Sequence, residues 1–432
     1  MAGLPTIPWL ARRDRAPWCR TALAGGVSLE DAVAAVARDL AGAAPADLAL
    51  VFASASYASD LQRLLPLLQR RLRSRHWLGC LGGGVVGTGS DGVPHEREQQ
   101  PMLSVMLLHL PGARLRPFAI DTTDLPDLDG PAEPWRALVP DGAADDREEA
   151  AGRKHQPPSL LVLGDPASAG LADLISGLDY AWPGAVKLGG VAGQHAAGHG
   201  SLLIGDASTG DVRSGAVGCL ISGGWRLEAV VAQGCRPIGP VYEVEQAQRN
   251  VLLQLSLGEE RNSPVSALQH ILVGLSPQER EQVRHSLFLG VGQSHFGLPS
   301  EADPQQAFVV RNLIGVDPRN GAVAVAERIR IGQKVQFQVR DGASSRQEAR
   351  QLLTRQAARG LQPLAGLLFA CLGRGQGLHQ RDDGDVSLCR ESFADLPIAG
   401  VFCNGEIAPL AGITQLHGYT AAWAFLVPSD SD

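Results

Sequence analysis

The chain reads as a mixed α+β protein. Three observations predict it: β-rich runs alternate with amphipathic helical stretches, a glycine-rich turn follows each strand-helix-strand set, and that order recurs three times along 432 residues. Helices too few to sheathe parallel strands on both faces imply antiparallel or mixed sheets. The expected architecture is two related modules of layered sheets, with two sheets packed inside outer helices. The length is too great for one ordinary core, and a 44% hydrophobic composition can build more than one.

The elements follow in order. "SLEDAVAAVARDLAG" predicts a helix, with Ser28 as its cap and Leu29, Val33, Val36 and Leu40 on one face. "LALVFASASYAS" predicts a strand, and "DLQRLLPLLQRRLRS" a helix in which Pro66 marks a kink or a first turn. "HWLGCLGGGVVGTGS" is a strand breaking into a glycine turn, and "MLSVMLLHL" is the next strand. The same order returns between Ser159 and Gly224, and again from "LAGLLFACLGRG" to "TAAWAFLVP". Its period, near 100 residues, is too long for a short-repeat solenoid and points to duplication inside compact domains.

Two connectors separate the copies. The first, 121–158, holds ten acidic residues between Asp121 and Ala150 with several prolines. It is expected to be a mobile acidic loop anchored only by Trp135. The second, 239–289, is helical, with two helices opening on proline. Beyond it, "AFVVRNLIGVDPRNGAVAVAERIRIGQKVQFQVRD" predicts a β-meander turning at Asp317 to Gly321. "SSRQEARQLLTRQAARG" predicts a helix capped by Ser345 with Glu348 in a capping box. The domain junction is placed near Arg236, giving domains 1–235 and 236–432.

Composition excludes several function classes. Thirty-eight basic against 45 acidic residues give a formal charge of −7 without a long basic run, so nucleic acid has no electrostatic footprint to grip. No apolar stretch reaches the length of a membrane span, the start lacks a signal-peptide pattern, and seven scattered cysteines form no CxxC pair. A reduced, cytoplasmic protein without membrane insertion is expected. Gly82, Gly84 and Gly87 satisfy GxGxxG, but the polar "TGSDGVPHEREQQP" follows where a dinucleotide site needs a helix. His195 and His199 sit in the glycine-broken "GQHAAGHG", and Cys371, Cys389, Cys403, His379 and His417 show no paired-ligand spacing. Neither a cofactor nor a metal is expected.

The reactive side chains gather near the C-terminus. "FACLGRGQGLH" and "GVFCNGEIAPLAGITQLHGYT" place Cys371, Arg374, Asn404, Glu406 and His417 among glycines at strand ends, where ligands are usually met. Cys371 is either a small buried hydrophobe or a thiol nucleophile whose pKa the nearby Arg374 lowers, with His379 or His417 as base. Glu406 lies among apolar residues, where a carboxylate pairs with a cation, meets a ligand or takes up a proton. Asn404 is a turn residue or a contact, and His417 a contact or a core histidine.

These stretches carry a resemblance. "LVFASASYASDLQRLLPLLQ" with "WLGCLGGGVVGTGS", then "AVKLGGVAG", "AVGCLISG" and the meander, and above all "FCNGEIAP" with "LHGYT", resemble the FIST family across its N-terminal and C-terminal domains, from about Leu48 to Val427. The resemblance implies a bacterial-type cytoplasmic sensory module of signal transduction that binds a small ligand, an amino acid or a derivative. Without a kinase, chemoreceptor or cyclase segment, such a chain is expected to signal through a protein partner. Cys371, Arg374, Asn404, Glu406 and His417 are then the ligand-binding candidates by position, with Arg374 pairing a carboxylate and Glu406 and Asn404 an ammonium or amide. On that reading, Arg374→Ala removes ligand-induced stabilisation without unfolding the protein. Two other classes stay open: a cysteine-dependent enzyme acting on an amide or thioester through Cys371, and a protein-interaction adaptor without a small ligand.

Overall fold

A computed structural model describes residues 16–139, 156–292 and 308–429. Its α+β architecture is that of the sequence expectation, with mixed sheets and helices on their outer faces. The first unit runs β1 (Trp18–Gly25), α1 (Leu29–Asp39), β2 (Ala46–Ser54), α2 (Leu61–Gln69), β3 (Ser74–Gly82), β4 (Gly84–Thr88), β5 (Pro94–Glu98) and β6 (Met102–His109). The second repeats that order as β7 (Ala113–Ile120), α3 (Ala132–Ala137), β8 (Ser159–Gly164), α4 (Leu171–Ala181), β9 (Val186–Val191), β10 (Leu202–Asp206), β11 (Gly210–Arg213) and β12 (Ala216–Gly223). The third opens with β13 (Trp225–Gln233) and is then interrupted.

The interruption holds β14 (Cys235–Pro237), β15 (Tyr242–Gln248), β16 (Val251–Leu257), β17 (Glu260–Asn262), α5 (Pro264–Gly274), α6 (Pro277–His285), β18 (Leu287–Gly292), β19 (Phe308–Asp317), β20 (Ala322–Val325) and β21 (Lys334–Arg340). The third unit then resumes with α7 (Gly342–Ala358), β22 (Ala365–Cys371), α8 (Gly375–His379), α9 (Gly384–Ser392), β23 (Ile398–Cys403), β24 (Gly405–Leu410), β25 (Ile413–His417) and β26 (Thr420–Pro428).

Strand pairing shows what the glycine turns do. The three six-stranded sheets have the orders β1-β6-β2-β3-β10-β11, β7-β12-β8-β9-β24-β25 and β13-β26-β22-β23-β4-β5. Each unit thus keeps four strands and passes a hairpin to a neighbour: β4-β5 to the third sheet, β10-β11 to the first, β24-β25 to the second. The turns at Gly82 to Gly84 and at Asn404 are the corners where a strand leaves its own sheet. No helix follows the GxGxxG glycines: Gly84 and Gly87 lie within β4, and β5 comes next.

The three sheets face one shared core that takes Phe52, Leu78, Leu163, Leu188, Val217, Phe369 and Val401. Where two packed sheets were expected there are three, because each exchanged hairpin ties its sheet to the next. Helices cover the outside: α1 and α2 on the first sheet, α4 with Trp135 on the second, α7 and α9 on the third. Close approach within each sheet relies on one glycine. A Cβ on Gly79, Gly189 or Gly400 would lie 1.9, 1.8 or 2.0 Å from the carbonyl oxygen of Val51, Val162 or Leu368 in the parallel partner strand.

The inserted strands form a body of their own. β21 pairs with both β15 and β18, so β15, β16, β20, β19, β18 and β21 close into a six-stranded barrel around Leu252, Leu289, Val291, Val323 and Phe337. The predicted meander and its turn are part of this barrel. Helices α5 and α6 start on Ser263 and Ser276, with proline in the first turn as read from sequence.

Three local expectations differ from what is found. Asp341, not Ser345, caps α7: its carboxylate accepts from the N–H groups of Ala343 (2.8 Å) and Ser344 (3.2 Å), while Ser345 is buried a turn further in. Asp341 ends an extended strand directly beside the first free amides, which puts its carboxylate in reach first. In the acidic connector, residues 132–137 form α3 and Trp135 is fully buried against Gly177, donating to the Asp127 carbonyl (3.1 Å). The remainder of that connector, 140–155, lies outside the described residues. Thirdly, the connector 239–289 is not helical throughout: Tyr242–Gln248 and Val251–Leu257 are the antiparallel pair β15 and β16, because Tyr242 and Val244 alternate into the barrel core. Beyond the barrel, β22 to β26 return to pair with β4, β9 and β13. Among the described residues, no helix is long and apolar enough to cross a membrane.

Candidate functional site

The threefold equivalence turns one residue into an anomaly. One residue beyond the tight glycines, Val401 pairs with Val85, Cys80 with Leu202, and Gly190 with Glu406. Val85 and Leu202 belong to the central apolar core. The third position carries a carboxyl that is 0% exposed. Its Oε2 accepts from the Thr420 N–H (3.2 Å), and Oε1 has no partner. Burial raises its pKa well above the ordinary carboxylate range; the Thr420 amide, the Arg374 charge and the Cys371 thiol only partly oppose this.

Cys371 ends β22 beside Glu406 and is partly exposed. The backbone N–H groups of Gly373 and Tyr419 face its sulfur. Burial first and the Glu406 charge second nonetheless push the thiol up to about 11, against those amides and Arg374. Tyr419 reaches this position in a left-handed backbone conformation (φ 63°), and Gln380 (55°) and Asp383 (57°) do the same in the turn between α8 and α9. Such strain in bulky or polar residues collects at functional sites.

Arg374 is 1% exposed and gripped from two sides. Its Nε and Nη2 donate to the two oxygens of Asp385 (2.8 and 2.6 Å), and Nη1 donates to the Tyr419 carbonyl (3.2 Å). Burial alone would raise the Asp385 carboxyl; Arg374 overrides it and, with His379, holds the group well below its usual range. Behind Asp385 stands Glu96, delivered by the exchanged hairpin of the first unit. Its Oε1 accepts from the Asp385 and Val386 amides (2.7 and 2.8 Å), Oε2 is unpartnered, and burial followed by the Asp385 charge pushes it up to about 8.

Of the five residues singled out in sequence, Cys371, Arg374 and Glu406 come together. Asn404 is exposed at the corner before β24, its N–H donating to the Val191 carbonyl (2.8 Å). His417 pairs across from Glu406 in register, but its Nε2 meets the Ala408 carbonyl (3.1 Å), and burial lowers the ring to about 4, so it stays neutral. The guanidinium offered to a ligand carboxylate in the sequence reading has its fork occupied by Asp385. Asp385, Glu96 and Tyr419 went unread; the only hint for Tyr419 was its place between a glycine and a strand. A cavity of about 260 Å³ lies between α7 and the end of β24 and is lined by Leu352, Arg355, Pro409 and Leu410, with none of the five.

An activated nucleophile needs a lowered thiol pKa, and the surroundings of Cys371 do the opposite. Alkylation by iodoacetamide should therefore be slow near neutral pH and climb about tenfold per pH unit towards pH ~10. A labelling rate that levels off below about pH 8 would restore the enzyme reading.

Comparison with known proteins gives consistent matches. The FIST N domain matches residues 47–256 and the FIST C domain residues 264–409. An "Uncharacterized protein MT0656" of Mycobacterium tuberculosis (strain CDC 1551 / Oshkosh) is 34% identical over 399 residues, 92% of this chain and 95% of that protein. An "Uncharacterized protein Mb0898c" of Mycobacterium bovis (strain ATCC BAA-935 / AF2122/97) is 33% identical over 411 residues, 90% and 93% of the two chains.

Proposed function

The chain belongs to the FIST family, whose domains are generally associated with sensing in signal transduction, and from that premise we propose that it is the ligand-binding component of a signalling system. The ligand is a small polar molecule, an amino acid or derivative, met at the turns where Cys371, Glu406 and Tyr419 adjoin. The observation that carries this reading is the Glu406 carboxyl, set in a core position filled by Val85 and Leu202 in the other units, with one oxygen unpartnered. Such a group costs stability where it stands, and a cationic or donor guest offsets that cost. Arg374 acts as a positioning residue, holding the Tyr419 carbonyl and so the strained turn. The expected partner is a protein, and the barrel offers it Ile314, Val316 and Ile331, which are 60%, 57% and 70% exposed.

Because burial raises the Glu406 pKa, an ammonium that pairs with it favours the ionised form, so binding should be accompanied by proton release. Calorimetry of an amino-acid panel in two buffers of different ionisation enthalpy measures this directly. Thermal stabilisation accompanied by proton release, both lost in Glu406→Gln, is the expected result. A panel that gives no stabilisation, or a response unchanged in Glu406→Gln, would overturn the reading.

A further inference from the structure

Where the barrel meets the three-sheet body there is a second cavity, of about 120 Å³. Gln233, at the end of β13, reaches it from the body, and Gln338, in β21, from the barrel; Cys235, Pro237, Phe308 and Glu348 complete most of the wall. Both glutamines are 4% exposed. The Gln233 Nε2 and the Gln338 Oε1 have no hydrogen-bond partner. Buried amides left this way are costly and uncommon, and two lining one cavity mark a place built to be filled.

The cavity adjoins the site described above. Gly234, between Gln233 and Cys235, packs on Arg374: a Cβ there would lie 3.2 Å from Nη1 and 2.6 Å from the Tyr419 carbonyl. Gln233 is in register with Thr420, whose N–H binds Glu406. The Cys235 thiol feels Arg340, Arg374, Glu348 and Cys371, after the dominant effect of its own burial.

We propose that this cavity is a subsite for a neutral primary carboxamide, which bridges Gln233 and Gln338 and so clamps the barrel to the three-sheet body. The inference rests on the sensory reading and names the class of guest. An amide accepts from one glutamine and donates to the other, in whichever way the two side chains are turned. A carboxylate offers no donor and would face Glu348; an ammonium offers no acceptor for the Gln233 amide. The volume suits a guest somewhat smaller than benzene, which fills a dry cavity of about 150 Å³.

Propionamide, propionate and propylammonium are near-isosteric probes of the three charge states. Added at high millimolar concentration to the full chain, propionamide should raise Tm saturably by about 2 °C, and the two ions should not. Gln233→Leu and Gln338→Leu, each of which removes one of the two unpartnered amides and adds no new polar atom, should each fold and lose at least tenfold in propionamide affinity. Loss in these variants with retention in Glu406→Gln supports the cavity even if Glu406 proves idle. A propionamide response that survives both leucine variants, or an equal response to propionate, would overturn the proposal whatever the amino-acid panel shows.

Discussion

Replacing Arg374 with alanine is expected to cost about 3–5 kcal/mol of folding stability, because it strands Asp385 beside the equally buried Glu96. The sequence reading expected this variant to lose a ligand response and otherwise stay intact. In the structure the guanidinium is enclosed, forms a two-pronged pair with Asp385, and carries the Tyr419 carbonyl on its third nitrogen. Removing it leaves one carboxylate that was held ionised by its partner and another already pushed up by that neighbour. Denaturant titration measures the loss. The double variant Arg374→Met with Asp385→Leu should recover most of it, since a buried ion pair replaced by apolar groups of similar size is often neutral. A loss below about 1 kcal/mol for the single variant would show that the pair is solvated and the site open.

Gly400→Ala should be among the most damaging of the conservative changes, at about 3 kcal/mol or more. The added methyl would lie 2.0 Å from the Leu368 carbonyl oxygen, where the obstacle is backbone in a central strand and no rotamer can move it aside. Gly418→Ala, whose Cβ would meet nothing within 4 Å, is the matched control and should stay within about 0.5 kcal/mol. Equal denaturation midpoints for the two variants would mean that the parallel strands part easily, contrary to the packing described.

Local signals made the secondary structure legible. β-rich apolar runs and glycine breaks gave β2, β3, β22 and β23, and Ser28 with the two opening prolines, Pro264 and Pro277, stood where helix starts belong. Their recurrence gave the three units. What stayed hidden was which sheet each hairpin joins: β4 leaves β3 and pairs with β23, some 300 residues on, and no local pattern encodes that choice. The site divides the same way. Glu406 stood out because an acid in an apolar run is anomalous wherever it folds. Asp385 sat in a polar stretch, Glu96 in the polar run after the GxGxxG glycines, and Gln233 and Gln338 carried no local signal at all. Their importance arises only where distant segments meet and water is excluded.

The cyclic handing-on of hairpins leaves no third of this protein self-sufficient. Each sheet is finished by a neighbour's ribbon, so removing any one unit bares an edge on another. Growth by adding a fourth copy would break the circle, whereas the stretch between Gln233 and Asp341 takes in a whole barrel without opening it. Novelty entered this closed ring at a point that adjoins Arg374 and Tyr419.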